Sequence, residues 1–512
     1  MIPNLDQPDV TVGIVGAGTM GRGIAQMAVV AGYRALLTDQ FPAAAEDARA
    51  FISRMALRAA EKGRMTREAA ETALGRLHLV PHLDDLKDCA IVIEAIVEDL
   101  VSKRKLFAEL EAIVSDDCIL ASNTSALSIT AIAAVCRRPA RVAGAHFFNP
   151  VPLMKLVEVV DGEHTEPRVG DALMAFVGRL GHKAVRVKDV PLFLVNHVGR
   201  GYSTEALAIL EEGVAAPVDI DRVMREVAGF PMGPFELLDL TALDVSHRSM
   251  ESSFTQFYSE PRMRPSPETK RRLEAGLLGR KTGAGFYRYQ DGKIVMPPEP
   301  AGPSRLPRAV WISPADAAAQ DKAHRCLAGL RDTVRLELGD RPSSEALCLV
   351  TPLGADATTS AVDQKLDPGH TLAIDTLLDL TPRVTLMATP ATESRYREEG
   401  HGLFATAGYN VTLIADSPGF IVPRILASIV NIACAIAQQG IGTPDDIDEA
   451  VRIGRGYPQG PLSLGDSLGA GRVLTILEAL QGLTGDPRYR PSLWLRRRVQ
   501  LGLSLQTPDL AP

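Results

Sequence analysis

Aromatic residues make up only 5% of the sequence, with two tryptophans, and no uncharged apolar run approaches the roughly 18 residues needed to cross a bilayer. Disulfide and zinc-site patterns are missing too. Cys89, Cys118, Cys136, Cys326, Cys348 and Cys434 are scattered without a CxxC pair, which predicts reduced thiols in a cytoplasmic protein. No His or Cys cluster has metal-ligand spacing, so no metal is expected. The net charge of −7 provides no basic field to attract nucleic acid or an anionic membrane, and neither is expected as a partner. The opening residues MIPNLDQPD lack the basic and apolar segments of an export signal. What remains is a 512-residue chain, 46% hydrophobic, longer than the roughly 250 to 300 residues that one core usually organises. Several domains are expected.

Near the N-terminus a short apolar strand, Val10 to Val15, runs into GAGTMG (Gly16, Gly18, Thr19, Met20 and Gly21 among its residues) and then into a helical pattern ending at Gly32. Strand, glycine turn and helix in that order predict a dinucleotide site. Gly16 permits the tight turn, Gly18 lets the backbone approach a pyrophosphate, and Gly21 lets the helix pack on its strand. A second strand, Arg34 to Thr38, delivers Asp39 eighteen residues after Gly21, where a carboxylate can accept from a ribose 2′-hydroxyl. Gln40 and Phe41 follow, with no adjacent Arg to welcome a 2′-phosphate, so NAD is expected rather than NADP. Apolar strands at Ala90 to Ala95, Ile119 to Ser122 and Val142 to Phe148 continue a parallel sheet.

His146 stands at the end of the last of these strands, and twelve residues later Glu158 lies within the apolar run LVEVV, where a carboxylate needs a partner. Removing a hydride from a secondary alcohol requires a base, and histidine titrates nearest neutrality. Glu158 would orient the imidazole and stabilise the imidazolium.

These residues sit within long motifs: GAGTMG, ASNTSALSIT, HFFNPVPLMKLVEVV, FLVN, GFPMGPFELLDL and GRKTGAGFY. Over about residues 10 to 290 the chain closely resembles the L-3-hydroxyacyl-CoA dehydrogenase family. The resemblance implies a Rossmann-type α/β nucleotide-binding domain followed by an all-α domain, and NAD-dependent oxidation of an (S)-3-hydroxyacyl-CoA thioester to its 3-oxo form. It gives His146 and Glu158 the same roles as above, and it places Ser125 and Asn196 around the substrate oxygen. Glu98, Lys103, Asn149 and Lys281 match positions that contact the nicotinamide half of the cofactor, and Lys62 matches a lysine for the acyl-CoA. Arg54, Arg58 and Lys62 share one face of the helical stretch from Ala44 to Gly63 and could equally form a solvated basic face. The chain also departs from the family pattern. DVPLFLVNH stands where the family usually has DTPGFIVNR, so Leu192 replaces a glycine and His197 an arginine.

A shift of 227 residues aligns DVPLFLVNHV with DSPGFIVPRI, and the identical pairs Gly213/Gly440, Asp221/Asp448, Pro231/Pro458 and Asp239/Asp466 follow without a gap. Expected domains are therefore 1–188 (nucleotide-binding), 189–295 (helical, first copy), 296–344 (linker, proline-rich from Pro297 to Pro307), 345–415 (small degenerate α/β) and 416–512 (helical, second copy, non-catalytic). The second α/β part has no glycine turn, and Ala388 is expected where its base would fall. Asn196 is matched by Pro423. Internal pairing of the two helical copies is expected, in competition with a homodimer. The tandem layout and the tail DPRYRP resemble the family members of bacterial phenylacetate degradation, implying 3-hydroxyadipyl-CoA as substrate, with 3-hydroxybutyryl-CoA the near alternative. Two other readings stand beside this one. A β-hydroxyacid dehydrogenase acting on a free acid would use a lysine base, and a non-catalytic NAD-binding protein would not need Ser125, His146, Glu158 and Asn196 together.

Overall fold

The computed structural model describes residues 3–7, 10–299 and 302–509, so parts of the N-terminal segment and of the proline-rich stretch read above lie outside the described residues. Two units are present, Met1–His197 with Gln439–Arg455, and Val198–Gln438 with Gly456–Pro512.

The first unit runs β1 (Thr11–Val15), α1 (Thr19–Val30), β2 (Arg34–Thr38), α2 (Pro42–Glu61), α3 (Arg67–Leu74), β3 (Leu77–Leu79), β4 (Ile91–Glu94), α4 (Leu100–Ile113), β5 (Ile119–Ser122), α5 (Ile129–Ala133), β6 (Val142–Phe147), β7 (Leu156–Asp161), α6 (Pro167–Arg179) and β8 (Lys183–Lys188). Its sheet has the order β3-β2-β1-β4-β5-β6-β7-β8. Runs such as IVIE and ILAS bury every residue, as strands covered by helices on both faces must. Strand order reverses at β1, so the carboxyl ends of β1, β4, β5 and β6 border the crevice where sheets of this kind bind ligands. Every pairing is parallel except β6 with β7. That one antiparallel step sets His146 directly across from Glu158.

The second unit holds most of α7 (Val195–Glu211), then α8 (Pro217–Glu226), α9 (Pro234–Thr241), α10 (Leu243–Gln256), α11 (Pro267–Glu274) and the hairpin of β9 (Arg288–Gln290) and β10 (Lys293–Val295). A six-stranded sheet follows, in the order β12-β11-β13-β14-β15-β16, built from β11 (Ala309–Ile312), α12 (Ala317–Cys326), β12 (Arg335–Glu337), β13 (Leu347–Val350), α13 (Ala357–Asp363), β14 (Thr371–Ile374), β15 (Arg383–Ala388), α14 (Ser394–Thr406) and β16 (Asn410–Ile414). The chain continues as α15 (Val422–Gln438), α16 (Pro444–Arg455), α17 (Pro461–Leu468), α18 (Ala470–Thr484) and α19 (Leu493–Leu501), of which α16 belongs to the first unit.

Two expectations need correction. The stretch 296–344 is not a linker throughout, because β11 and β12 pair with each other and β11 pairs with β13, so the second sheet takes its first strands from there. Ala388 is not at the position of the base. It lies on β15, the antiparallel strand, opposite Leu372. Asp375, just past the end of β14, is at the same distance from Thr371, the first residue of β14, as His146 is from Val142, the first of β6, and its N–H donates to the carbonyl of Thr385, which occupies the place of Glu158. The second sheet thus carries an Asp and a Thr where the first carries the His and the Glu.

Within the second unit, α7 and α15, which correspond under the 227-residue shift, pack closely. A methyl group at Gly201 would come within 3.1 Å of the Ile429 Cα. The buried Arg424 guanidinium donates to Glu205 and, at 2.6 and 2.7 Å, to Glu212, while the Tyr489 hydroxyl donates to Glu205 at 2.7 Å.

Candidate active site

Glycine is required at Gly16, where φ is +103° and a Cβ would lie 2.5 Å from the Ala95 carbonyl oxygen. At Gly21 a Cβ would fall 1.7 Å from the Gly16 carbonyl oxygen. At Gly18, by contrast, nothing lies within 4 Å, so the protein itself does not demand that glycine. Gly18 heads α1 without a side-chain cap, leaving the first N–H groups, at Thr19 and Met20, for an acceptor from outside. An open face over uncapped amides fits a pyrophosphate. Asp39 accepts from Ala17 N–H at 2.7 Å through one oxygen and from Phe41 N–H at 2.9 Å through the other, fixing the carboxylate beside the turn.

At the end of β4, Glu94 is fully buried and accepts from Lys103 Nζ at 2.5 Å, Ser122 Oγ at 2.6 Å and Ile96 N–H at 2.7 Å. Lys103, 1% exposed, also reaches Glu98 at 3.3 Å, so this is not an ordinary surface charge pair. Glu98 accepts from the Thr124 hydroxyl at 2.7 Å and from Ser125 through its N–H at 2.8 Å and its hydroxyl at 3.2 Å. Burial alone would raise the Glu98 carboxyl, but the Lys103 charge and these donors hold it below its ordinary value. Ser125 is exposed, and its hydroxyl is turned toward Glu98. Nothing in the sequence around Glu94 and Ser122 distinguished them from ordinary strand residues.

His146 Nδ1 lies 2.6 Å from Glu158 Oε2. The other Glu158 oxygen accepts from Leu194 N–H at 3.0 Å and Val195 N–H at 2.8 Å. A carboxylate facing these donors is an acceptor, so Nδ1 carries a proton toward it, and in the neutral imidazole Nε2 is then the nitrogen with the lone pair. Phe148 and Phe193 flank the imidazole, with ring centroids 4.4 and 5.8 Å away.

Asn196 follows the Glu158-bound amides in the first turn of α7. Its Oδ1 accepts from Arg455 Nη2 at 2.8 Å. Arg455 closes α16, where Gly456 at φ +65° ends the helix. The segment is held to the sheet by Lys183, paired with Glu449 at 2.8 Å, and by Lys188 N–H, which donates to the Ile441 carbonyl. Sequence reading missed Arg455; the one signal was a charged residue where the first copy has Ala228.

A cavity of about 770 Å³ opens beside α1 and α2, lined by Arg22, Arg58, Lys62, Arg64 and Lys155 around apolar side chains such as Phe51. Burial lowers the Lys155 ammonium from its usual value. Asn149, exposed after β6, reaches the same cavity. Arg54 is not among its lining residues and instead reaches over the Phe51 ring. Lys281 belongs to the second unit, where it is exposed and paired with Asp244 at 2.6 Å.

Residues 11–190 match the model of the NAD-binding domain of 3-hydroxyacyl-CoA dehydrogenase, and residues 193–289 and 419–508 match that of its C-terminal domain. The chain belongs to the 3-hydroxyacyl-CoA dehydrogenase family. Over 96% of its length it is 36% identical to the 3-hydroxyadipyl-CoA dehydrogenase of Escherichia coli (strain K12), of which 98% is covered. It is 41% identical to the 3-hydroxybutyryl-CoA dehydrogenase of Bradyrhizobium diazoefficiens, a match that takes up 56% of this chain and 97% of the relative. A crystal structure of 3-hydroxybutyryl-CoA dehydrogenase from E. coli K12 superposes with a TM-score of 0.84 at 35% identity, covering 96% of this chain and 98% of the other. The Bradyrhizobium relative thus takes up little more than half of this chain, whereas the E. coli proteins match nearly all of it. The cofactor is NAD.

Proposed function

We propose that the chain oxidises the 3-hydroxyl of an (S)-3-hydroxyacyl-CoA to the 3-oxo thioester, with 3-hydroxyadipyl-CoA as its substrate. The observation that carries this reading is the buried His146 and Glu158 pair, 2.6 Å apart at the carboxyl end of a sheet whose glycine turn suits a dinucleotide. Gly16, Gly18, Thr19, Met20, Gly21 and Asp39 hold the adenosine and pyrophosphate side of NAD, with Glu98, Lys103 and Asn149 for the nicotinamide half. When bound, NAD supplies the acceptor for the hydride leaving C3. His146 Nε2 takes the hydroxyl proton, and the Glu158 charge stabilises the imidazolium that results. Asn196 and Ser125 orient the substrate oxygen. The cationic wall of Arg58, Lys62 and its neighbours is suited to the phosphates of coenzyme A. The adipyl substrate is supported by the name of the E. coli relative that matches along the tandem; the butyryl substrate, named for both the shorter relative and the tandem-length E. coli structure, is the alternative. Pairing of α7 with α15 takes the place of a contact with another chain. Six free thiols and an acyl-CoA substrate support a cytoplasmic location.

The test is initial rates of NADH oxidation with a panel of 3-oxoacyl-CoA thioesters, with and without an ω-carboxylate, and with the free acids. His146→Gln should lose about 10² to 10⁴ in kcat while NADH affinity stays within about twofold. Retention of more than about a tenth of the activity would remove His146 from the mechanism, and turnover of free acids alone would assign another substrate class.

A further inference from the structure

We propose that Arg455, supplied by the second helical copy, is a positioning residue for Asn196, so that the repeat completes the active centre. The proposal rests on the reading of Asn196 as a substrate contact. A guanidinium can only donate, so the Asn196 side-chain atom 2.8 Å from Arg455 Nη2 must be the carbonyl oxygen. That contact fixes which way the amide is turned. An unheld amide can rotate and offer the substrate either a donor or an acceptor with little preference. With Oδ1 engaged by Arg455, the Nδ2 donors are directed away from it, ready for an oxygen on which negative charge develops.

The placement of Arg455 is tightly determined. A Cβ at Gly454 would lie 2.9 Å from Leu156 and 3.0 Å from Val195, so the last turn of α16 presses against β7 and the start of α7. Lys183 pairs with Glu449 and, at 3.6 Å, with Asp446; Lys188 Nζ donates to the Gln439 carbonyl at 3.0 Å. The first copy carries Ala228 at the corresponding position, a side chain without a polar atom. The second copy has therefore exchanged a substrate-facing asparagine, replaced by Pro423, for an arginine that serves the asparagine of the first.

Arg455→Met keeps the apolar stem and removes the donors. It should lower kcat by on the order of 10- to 100-fold with 3-oxobutyryl-CoA and with 3-oxoadipyl-CoA alike, the cost typical of a misplaced active-site group, while the Kd for NADH stays within about twofold. Combined with Asn196→Ala it should lower kcat no further than Asn196→Ala alone, because both act through one amide. Arg452→Met, which removes an exposed guanidinium from the same helix, should stay near wild type. If Arg455→Met does not fold, Arg455→Lys should show a smaller kcat loss of the same pattern. Wild-type kcat in the Met variant, or losses that multiply in the double variant, would overturn the proposal. So would a loss confined to the ω-carboxylated substrate, which would make Arg455 a substrate anchor. Should Asn196→Ala itself retain wild-type activity, the reading of Asn196 fails, and the role of Arg455 with it.

Discussion

Glu98 shows how several weak demands on one side chain set its chemistry. Its carboxylate is shared by Lys103, Thr124 and Ser125, and the net effect is a folded-state value below that of an unfolded glutamate. A depressed acid contributes stability that is present above its unfolded value, about 4.3, and is lost as pH falls through the lower folded one. Glu98→Gln should therefore unfold at lower denaturant than wild type at pH 7, and the gap should narrow as the pH is taken below about 4. A gap independent of pH would mean that the charge is immaterial. At Asp39 the expectation is a strong preference for NADH over NADPH, narrowed by Asp39→Ser with Gln40→Arg, which removes the repulsion of a 2′-phosphate and adds a partner for it. Equal use of both cofactors by wild type would refute the assignment. Asp39 and the glycine turn were legible in the sequence because their spacing is short and local. The burial of Lys103 was not, since a lysine in the first turn of a helix looks solvated until Glu94 and Ser122 are seen beneath it. Arg455 was still harder to find, because its partner lies some two hundred and sixty residues earlier in the chain.

The two α/β sheets share a device at the level of elements. Asp189 after β8 accepts from Ile129 N–H, Thr130 N–H and the Ser128 hydroxyl at the start of α5, and Asp416 after β16 accepts from Ala357 N–H, Thr358 N–H and the Thr358 hydroxyl at the start of α13. In both sheets an acid just past the edge strand caps a helix two strands away. Asp416→Ala should cost about 1 kcal/mol, measured by chemical denaturation, through the lost capping hydrogen bonds. No measurable loss would mean that the amides find other acceptors. This correspondence shows why the sequence misled at Ala388. Matching Arg383 to Arg141 aligned an antiparallel strand with a parallel one, and only the register of β14 against β15 reveals the slip. The strand Ala309–Ile312 was missed for a related reason, since four apolar residues just after a proline-rich stretch carry no periodicity. Leu192 presents the opposite case. The missing family glycine was legible, and the backbone there keeps a left-handed φ of 66°, as Gly419 does at 77° in the second copy, although the side chain is leucine.

For the molecule as a whole, a chain ending at Val295 would keep His146, Glu158 and Asn196 while baring the face of α7 around Gly201 and Glu205 and losing Arg455. Size-exclusion chromatography of that fragment should show dimers or aggregates, and a soluble, fully active monomer would refute both the pairing of α7 with α15 and the need for the repeat. The return of Gln439–Arg455 to the first unit also bears on how the protein is made. The ribosome releases the nucleotide-binding sheet early, yet the strap that finishes it emerges only after residues 198–438 have been translated, on the order of 10 to 50 s later at ordinary elongation rates. Throughout that interval the newborn domain holds the edge of β8 open, with Lys183 and Lys188 lacking the partners they will later find. A protein assembled in this order gains a complete active centre only after residues 439–455 have been made and have reached back to the sheet they finish.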